Sequence, residues 1–487
     1  MKNNIICKKN VCFFFYTIIT TFLIAMGHSF CDINRFATSA AMVIVAVALY
    51  FCIVFSVAKK NWLDIRAVFH AVWVFTVGLA ALRLTDYQEE WQAKTWYCFA
   101  LAYLMFQVGS HLGISLGKTF YEKTEIITKN FKLGKIKFEL KENRYFIICV
   151  ITTLIGLACF SINVAIRGYI PCFSPDPAAY VAFYTKFHVF AVAATGVSGL
   201  CYYSIVTQKL SKFKKVILLI CILYSTFIFP ILVVSRGTFI VSALSLTVTV
   251  FYLHKKKFWI LVTCLALIFG IYFGVSTLRN YTDDQLALLF EPSDIHISKP
   301  STNNSQNYDD TQWNGGLSFD ANLSSDISFT LPPKVTFIYS YLTVSHDNFN
   351  ETVQNSTEYT YGLRQIIPFN SVLRSDWIDK QLSDAEYYLV RPHLNTVNLI
   401  GYFYYDFHTF GVVIFMLLWS FIIGVLQKFA ELDKRPFYLL TLGNAMVPVA
   451  LSFFAPWFSV FSQWLLWGVV LIFAVASSIK INSRKNN

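Results

Sequence analysis

Several basic side chains stand where phosphate chemistry would need them. Arg83, Arg167, Lys186, Arg236, Arg279 and Arg391 lie in connections between long apolar runs, in a set of connections that is net acidic as a whole. A guanidinium is a fixed, permanently charged fork of donors that matches phosphate oxygens two at a time. Several of them converging at one depth would hold a phosphate or pyrophosphate. Arg236 is the most constrained, because Val234-Ser235-Arg236-Gly237 is a minimal turn between two apolar runs. The competing reading is that these side chains reach along apolar surface to ordinary headgroups, or pair with an acid such as Asp406.

A second constellation is Arg391-Pro392-His393-Leu394-Asn395, followed by Gly401-Tyr402-Phe403-Tyr404-Tyr405-Asp406. Histidine titrates near neutral pH, so His393 is a candidate general base or phosphate donor, or else an exposed loop side chain. Asp406 stands where the chain re-enters an apolar run, and a carboxylate there is costly unless used or paired. Capping the following helix is its alternative role. Tyr402, Tyr404 and Tyr405 could stack on sugar rings or form an interfacial aromatic belt. Asp283-Asp284 and Asp309-Asp310 invite a metal, yet neither pair has a nearby histidine or third carboxylate. No metal or other cofactor is therefore expected. There is no Walker or GxSxG motif, and no GxGxxG in a strand–helix context, so ATP-driven transport and α/β-hydrolase chemistry lack support.

The elements that must position these residues are apolar. Of 487 residues, 56% are hydrophobic and only 14% charged, with a mean hydropathy of +0.52. A water-soluble surface needs more charge. A membrane span needs about 20 mostly apolar residues, and runs near 11–27, 37–58, 67–85, 96–117, 145–166, 185–206, 216–234, 238–253, 258–276, 410–427, 437–454 and 457–478 qualify. The expectation is an all-α integral membrane protein with about twelve transmembrane helices. The first run also resembles a signal peptide, but the topology is consistent only if it stays as the first helix.

Charge sets the orientation. If all twelve runs span, 27 of the 40 basic residues fall on one side, among them Lys59-Lys60, eight from Lys118 to Arg144, and Lys255-Lys256-Lys257. By the positive-inside bias that side is the cytoplasm, and both termini lie there. The same placement accounts for the net charge of +12 without nucleic acid, and no nucleic acid partner is expected. The opposite side holds 21 of the 28 acidic residues and one long segment. The chain thus divides into helices one to nine (1–275), a large, partly helical periplasmic loop (276–395) and helices ten to twelve (396–487). Long loops tend to be functional, and this one reads as a cap over an outward-facing site. Within it, Val335, Phe337, Ile338, Tyr341 and Leu342 recur at helical spacing across Lys334–Val353, with Pro333 near the start. Ser375–Leu389 is a second helical candidate, and 293–327, rich in Ser, Asn and Asp, reads as loop.

Arg167-Gly168-Tyr169-Ile170-Pro171 follows one run, and Ser235-Arg236-Gly237 joins two others. Tyr359-Thr360-Tyr361-Gly362-Leu363-Arg364-Gln365-Ile366-Ile367-Pro368 comes next, then Gly401-Tyr402 through Asp406 and Gly411. In that order these strings resemble bacterial oligosaccharide repeat-unit (O-antigen) polymerases of the Wzy type, over roughly residues 145–425. His408-Thr409-Phe410 departs from that pattern, where a tighter Gly-rich turn is expected. The resemblance implies a metal-independent glycosyltransferase with a GT-C-like fold at the periplasmic face of the bacterial inner membrane. It would move a growing glycan from one undecaprenyl pyrophosphate onto another lipid-linked repeat unit. The implied partners are undecaprenyl-pyrophosphate-linked oligosaccharides, membrane lipids and a polysaccharide chain-length regulator. Arg236, Arg279 and Arg391 would hold pyrophosphate and stabilise the leaving group, with Arg167, Lys186, Arg364 and Tyr402 as further substrate contacts. His393 or Asp406 would orient or deprotonate the acceptor hydroxyl. An O-antigen ligase-like transferase shares the arginine and histidine logic. A lipid-linked oligosaccharide flippase shares the spans, but it would carry short loops and line a central cavity with charge.

Overall fold

The computed structural model describes residues 2–85, 87–130, 144–174, 183, 185–254, 258–277, 333–373, 376–383, 388–391 and 394–478. Every regular element among them is helical. In chain order the helices begin with α1 (Lys2–Ala25), α2 (Gly27–Cys52), α3 (Ile65–Ala80), α4 (Ala93–Asn130), α5 (Arg144–Arg167) and α6 (Lys186–Ala194). Then come α7 (Val197–Thr207), α8 (Lys212–Leu223), α9 (Phe229–Leu232), α10 (Arg236–Leu253) and α11 (Phe258–Thr277). The last six are α12 (Pro333–Asn355), α13 (Ile367–Leu373), α14 (Asp376–Ser383), α15 (Leu399–Leu432), α16 (Pro436–Ala450) and α17 (Phe461–Ser478).

Among the described residues, seven helical stretches are long and apolar enough to cross a membrane. Five shorter apolar helices, Val11–Ala25, Ile65–Ala80, Phe258–Leu267, Pro436–Ala450 and Phe461–Val470, coincide with the remaining apolar runs. The protein is a multi-pass membrane protein.

The central pair is α4 with α15, which run parallel because small residues let their backbones meet. Gly109, Gly113 and Gly117 recur at four-residue spacing on α4. A Cβ at Gly109 would lie 2.4 Å from the Leu417 carbonyl oxygen, and one at Gly113 would lie 2.1 Å from that of Phe421. Gly424 returns the fit, its Cβ position falling 2.6 Å from the Ser110 oxygen. With no hydrophobic drive between helices in lipid, such close approach is what holds them.

The connections gather at two ends. At one, Asn61 donates to Glu431 (3.0 Å) and to the Tyr252 hydroxyl (3.1 Å), and Tyr121 donates to Asp433 (3.0 Å). These bonds bring the basic connections around 59–66, 118–122, 252–254 and 428–435 together. At the other end lie the 84–92, 168–173, 233–237 and 451–460 connections and the described part of the long segment. There α12 begins at Pro333, as its spacing predicts, but it is turned differently. Val335 and Ile338 are exposed, whereas Ser340, Thr343, His346, Asp347, Asn348 and Asn350 are buried. Within the second expected helix the described residues form α14 at Asp376–Ser383 and are non-helical at Tyr388 and Leu389. The 293–327 segment lies outside the described residues.

Candidate functional site

The buried polar row of α12 ties the ends of four helices together. His346 makes 3.0 Å and 3.2 Å hydrogen bonds to Thr76 of α3 and Asn398 at the start of α15. Asp347 accepts from Trp91 Nε1 (2.8 Å) and Gln88 Nε2 (3.0 Å), and Asn350 accepts from Thr95 Oγ1 (2.7 Å) on α4. Ser345 donates to the Phe453 carbonyl before α17. Buried polar groups of this kind must be paired, so the row fixes how α12 sits.

Burial raises the Asp347 carboxyl to about 7, against the opposing pull of its hydrogen bonds to Trp91 and Gln88. Burial among Trp73, Trp91 and Phe99 lowers His346 to about 3. Asp347 binds its proton more tightly when folded, so its contribution to stability falls as pH rises from about 4 to about 7. His346 is held neutral when folded, so its contribution is lost as pH drops from about 6.5 towards 3. Between about pH 4 and 6.5 the two slopes oppose each other. A His346→Gln variant removes the opposing slope, and its melting temperature is expected to fall relative to the parent's from about pH 4 to about 6.5 and to run parallel to it above that. A profile parallel to the parent's across the lower range as well would contradict this.

Around this frame sit two of the expected arginines. Arg236 opens α10, where the Ser235 side chain accepts from Thr238 N at 3.3 Å as the helix cap. Val234 before it has φ 51°, a left-handed conformation that is costly for a β-branched residue. A Cβ on Gly237 would lie 2.6 Å from the Trp457 ring, so the turn is clamped on its far side. Arg236 is 6% exposed, and its guanidinium donates to the Tyr341 hydroxyl at 3.1 Å and lies over the Tyr341 and Phe337 rings at 5.0 Å and 5.6 Å. Arg391, equally buried, lies 5.4 Å over the Tyr87 ring, and Tyr87 packs with Phe337. Both arginines thus border the first turns of α12 on a shared aromatic cluster.

Asn348 holds Arg391 in place. Its Oδ1 accepts from Val390 N (2.9 Å), and its Nδ2 donates to the carbonyls of Leu394 (2.6 Å) and Thr396 (2.8 Å). Asn348→Ala is expected to loosen 390–396 by roughly 3 kcal/mol, about 1 per lost bond. Hydrogen exchange should quicken in that segment and not in the spans.

Arg364 is also buried, 2% exposed, with its guanidinium 4.1 Å over the Tyr405 ring. Its segment is pinned by Asp406, which lies inside α15 just before a break at Phe407 and His408. The Asp406 carboxylate accepts from Thr360 Oγ1 (2.6 Å), Gly362 N (3.0 Å), Arg364 N (3.3 Å) and Gln365 Nε2 (2.8 Å). Tyr402 is enclosed and donates to the Arg364 carbonyl. Tyr405 bonds Thr352 of α12 at 3.1 Å and accepts from Tyr388 N at 2.9 Å. Tyr402, Tyr404 and Tyr405 are all buried within the fold.

Arg167 and Lys186 are exposed at the end of α5 and the start of α6. Tyr169 and Ile170, next to Arg167, pack with Leu232 and Val233, next to the Arg236 turn. Arg83 is 3.8 Å from Glu90, which with His28 and Asp32 forms a group whose ligand atoms lie within 4.8 Å of one another. Arg279 and His393 lie outside the described residues. Sequence reasoning passed over His346, Asp347 and Asn348 because their partners are 42 to 270 positions away. A dense run of polar residues inside a helical pattern was the signal available.

The family model for O-antigen polymerases matches residues 14–301, more than half of the chain, including Arg167, Lys186, Arg236 and Arg279. Arg364, Arg391 and Asp406 lie beyond the matched stretch. No curated protein and no solved structure matches the chain. A multi-pass helical chain with the family's model running from its first helix into the long segment leads to one assignment: the chain belongs to the O-antigen polymerase family.

Proposed function

We propose that this protein joins undecaprenyl-pyrophosphate-linked oligosaccharide repeat units into a surface polysaccharide at the periplasmic face of the bacterial inner membrane, by a GT-C-like, metal-independent transfer. The observation that carries the reading is that Arg236, Arg391 and Arg364 lie along α12 and its neighbours, each buried and each laid on an aromatic face. The positive end of α10 adds to the potential beside Arg236. The basic connections gather at the other end, in keeping with cytoplasmic termini and an outward-facing site.

In the proposed step, the terminal-sugar hydroxyl of one lipid-linked unit attacks the anomeric carbon of the growing chain. The bond from that carbon to the pyrophosphate oxygen breaks, and undecaprenyl pyrophosphate leaves with the electron pair. Arg236 and Arg391 neutralise the charge that develops on it, with Arg279 as a further pyrophosphate contact. His393, two residues beyond Arg391, takes the hydroxyl proton. Arg364 contacts the substrate at the inner side, positioned by Asp406 and Tyr402, while Arg167 and Lys186 meet headgroup charge at the rim. A polysaccharide chain-length regulator would be a partner of this activity.

Deleting the gene and resolving the surface polysaccharide on a gel tests the reading. The expected pattern is core capped by single repeats. Bare core would favour a ligase, and units trapped on the cytoplasmic side a flippase.

A further inference from the structure

The tyrosines that the sequence places beside Asp406 are enclosed, yet two others are open. Tyr359 is 44% and Tyr361 72% exposed. Their rings start a stack that runs into the fold. Tyr361 and Tyr359 are 5.8 Å apart and 35° from parallel, Tyr359 and His408 are 4.2 Å and 27°, and His408 and Tyr404 are 4.8 Å and 15°. Phe407 meets the edge of Tyr361 at 6.3 Å.

The backbone under this stack is strained at both of its contributing segments. Tyr361 has φ 48° and His408 φ 49°, in the left-handed region that glycine or asparagine occupies more cheaply. Core packing does not explain an aromatic residue there, because the Tyr361 ring is mostly open. The strain is maintained by Asp406, whose bonds to Thr360 Oγ1 and Gly362 N flank Tyr361 on both sides. An outlier held this firmly on an exposed aromatic ring points to a ligand.

We propose that Tyr359 and Tyr361 form a carbohydrate platform, on which sugar rings of the glycan lay their C–H faces while the lipid pyrophosphate engages the arginines. The choice of a glycan rests on the polymerase reading, and on Arg364 lying in the same pinned segment, 360–366, as Tyr361. Flat amphipathic rings offer large contact area with little conformational entropy to lose. Held in place by the carboxylate, they need no reordering when a chain arrives.

The test uses the full-length protein in detergent, with fragments of two to four repeats cleaved from the cell's own polysaccharide as the probe, read by saturation-transfer NMR. The parent is expected to bind the fragments. Tyr361→Asn combined with Tyr359→Ala should weaken binding about tenfold or more, and Tyr361→Phe should stay within about twofold. Because asparagine tolerates the left-handed backbone, Tyr361→Asn alone should keep or raise the melting temperature while losing affinity, which separates binding from folding. In cells the double variant should make shorter chains. The platform is overturned if the parent does not bind fragments, if the double variant binds as well as the parent, or if the variants lose only their association with lipid vesicles. Arg236→Ala should still bind fragments. Fragment binding by a protein that joins no repeats would remove the polymerase reading and leave the platform.

Discussion

Replacing Arg236 by alanine should remove long-chain polysaccharide and leave single capped repeats, at nearly unchanged protein level. The hydrogen bond from the guanidinium to Tyr341 and its contacts with two rings are together worth about 1–2 kcal/mol of stability. That is too little to clear a protein with so large a buried core. A fixed positive group facing a departing pyrophosphate is worth far more to the reaction, about 10²–10³ in rate for one such group. Arg236→Lys keeps the charge but not the two-pronged donor geometry, and should recover only part of the chain length. Normal chains in the alanine variant would remove Arg236 from the site. Full recovery with lysine would reduce its role to simple charge.

At Asp406 two substitutions separate proton transfer from positioning. The sequence offers it as a base, a cap or a partner for an arginine. Its carboxylate gathers four donors from residues 360–365. Asp406→Ala would leave those buried donors without an acceptor, at about 1–3 kcal/mol each. Segment 360–366 should then open to protease, and polymer should be lost. Asp406→Asn is milder, because Oδ1 can still accept from Thr360, Gly362 and Arg364, while the Gln365 amide turns over to meet the new NH₂. That variant is expected to keep activity within about tenfold of the parent. A general base cannot be replaced by an amide, so an Asn variant as dead as the Ala variant would return Asp406 to proton transfer.

The apolar runs were legible because each is a local property. A stretch that suits lipid forms a helix whatever surrounds it, and each of the twelve runs has an apolar helix. The Gly109, Gly113 and Gly117 spacing marks a face for close packing, but only the fold shows that α15 fills it. The orientation of α12 was hidden for the opposite reason. Amphipathic spacing assumes that polar residues face water, but here they meet Thr76, Gln88, Trp91, Thr95 and Asn398, which reach them from distant parts of the chain. The same holds at the site. Arg236 could be singled out from its short turn alone, whereas the rings beneath it come from α12, 105 positions on in the case of Tyr341. The pattern 359–368 was visible as a motif, but only the fold distinguishes its open tyrosines from the enclosed ones beside Asp406.

Joining of repeat units by the protein itself, with release of undecaprenyl pyrophosphate, can be followed with purified protein in liposomes containing lipid-linked repeat units and a metal chelator, reading chain length and free undecaprenyl pyrophosphate together. The prediction is a ladder of lengthening glycans, one undecaprenyl pyrophosphate released per bond formed, and no ladder with Arg236→Ala. Repeat units that cross the bilayer but stay single, or joining that requires a divalent cation, would contradict it.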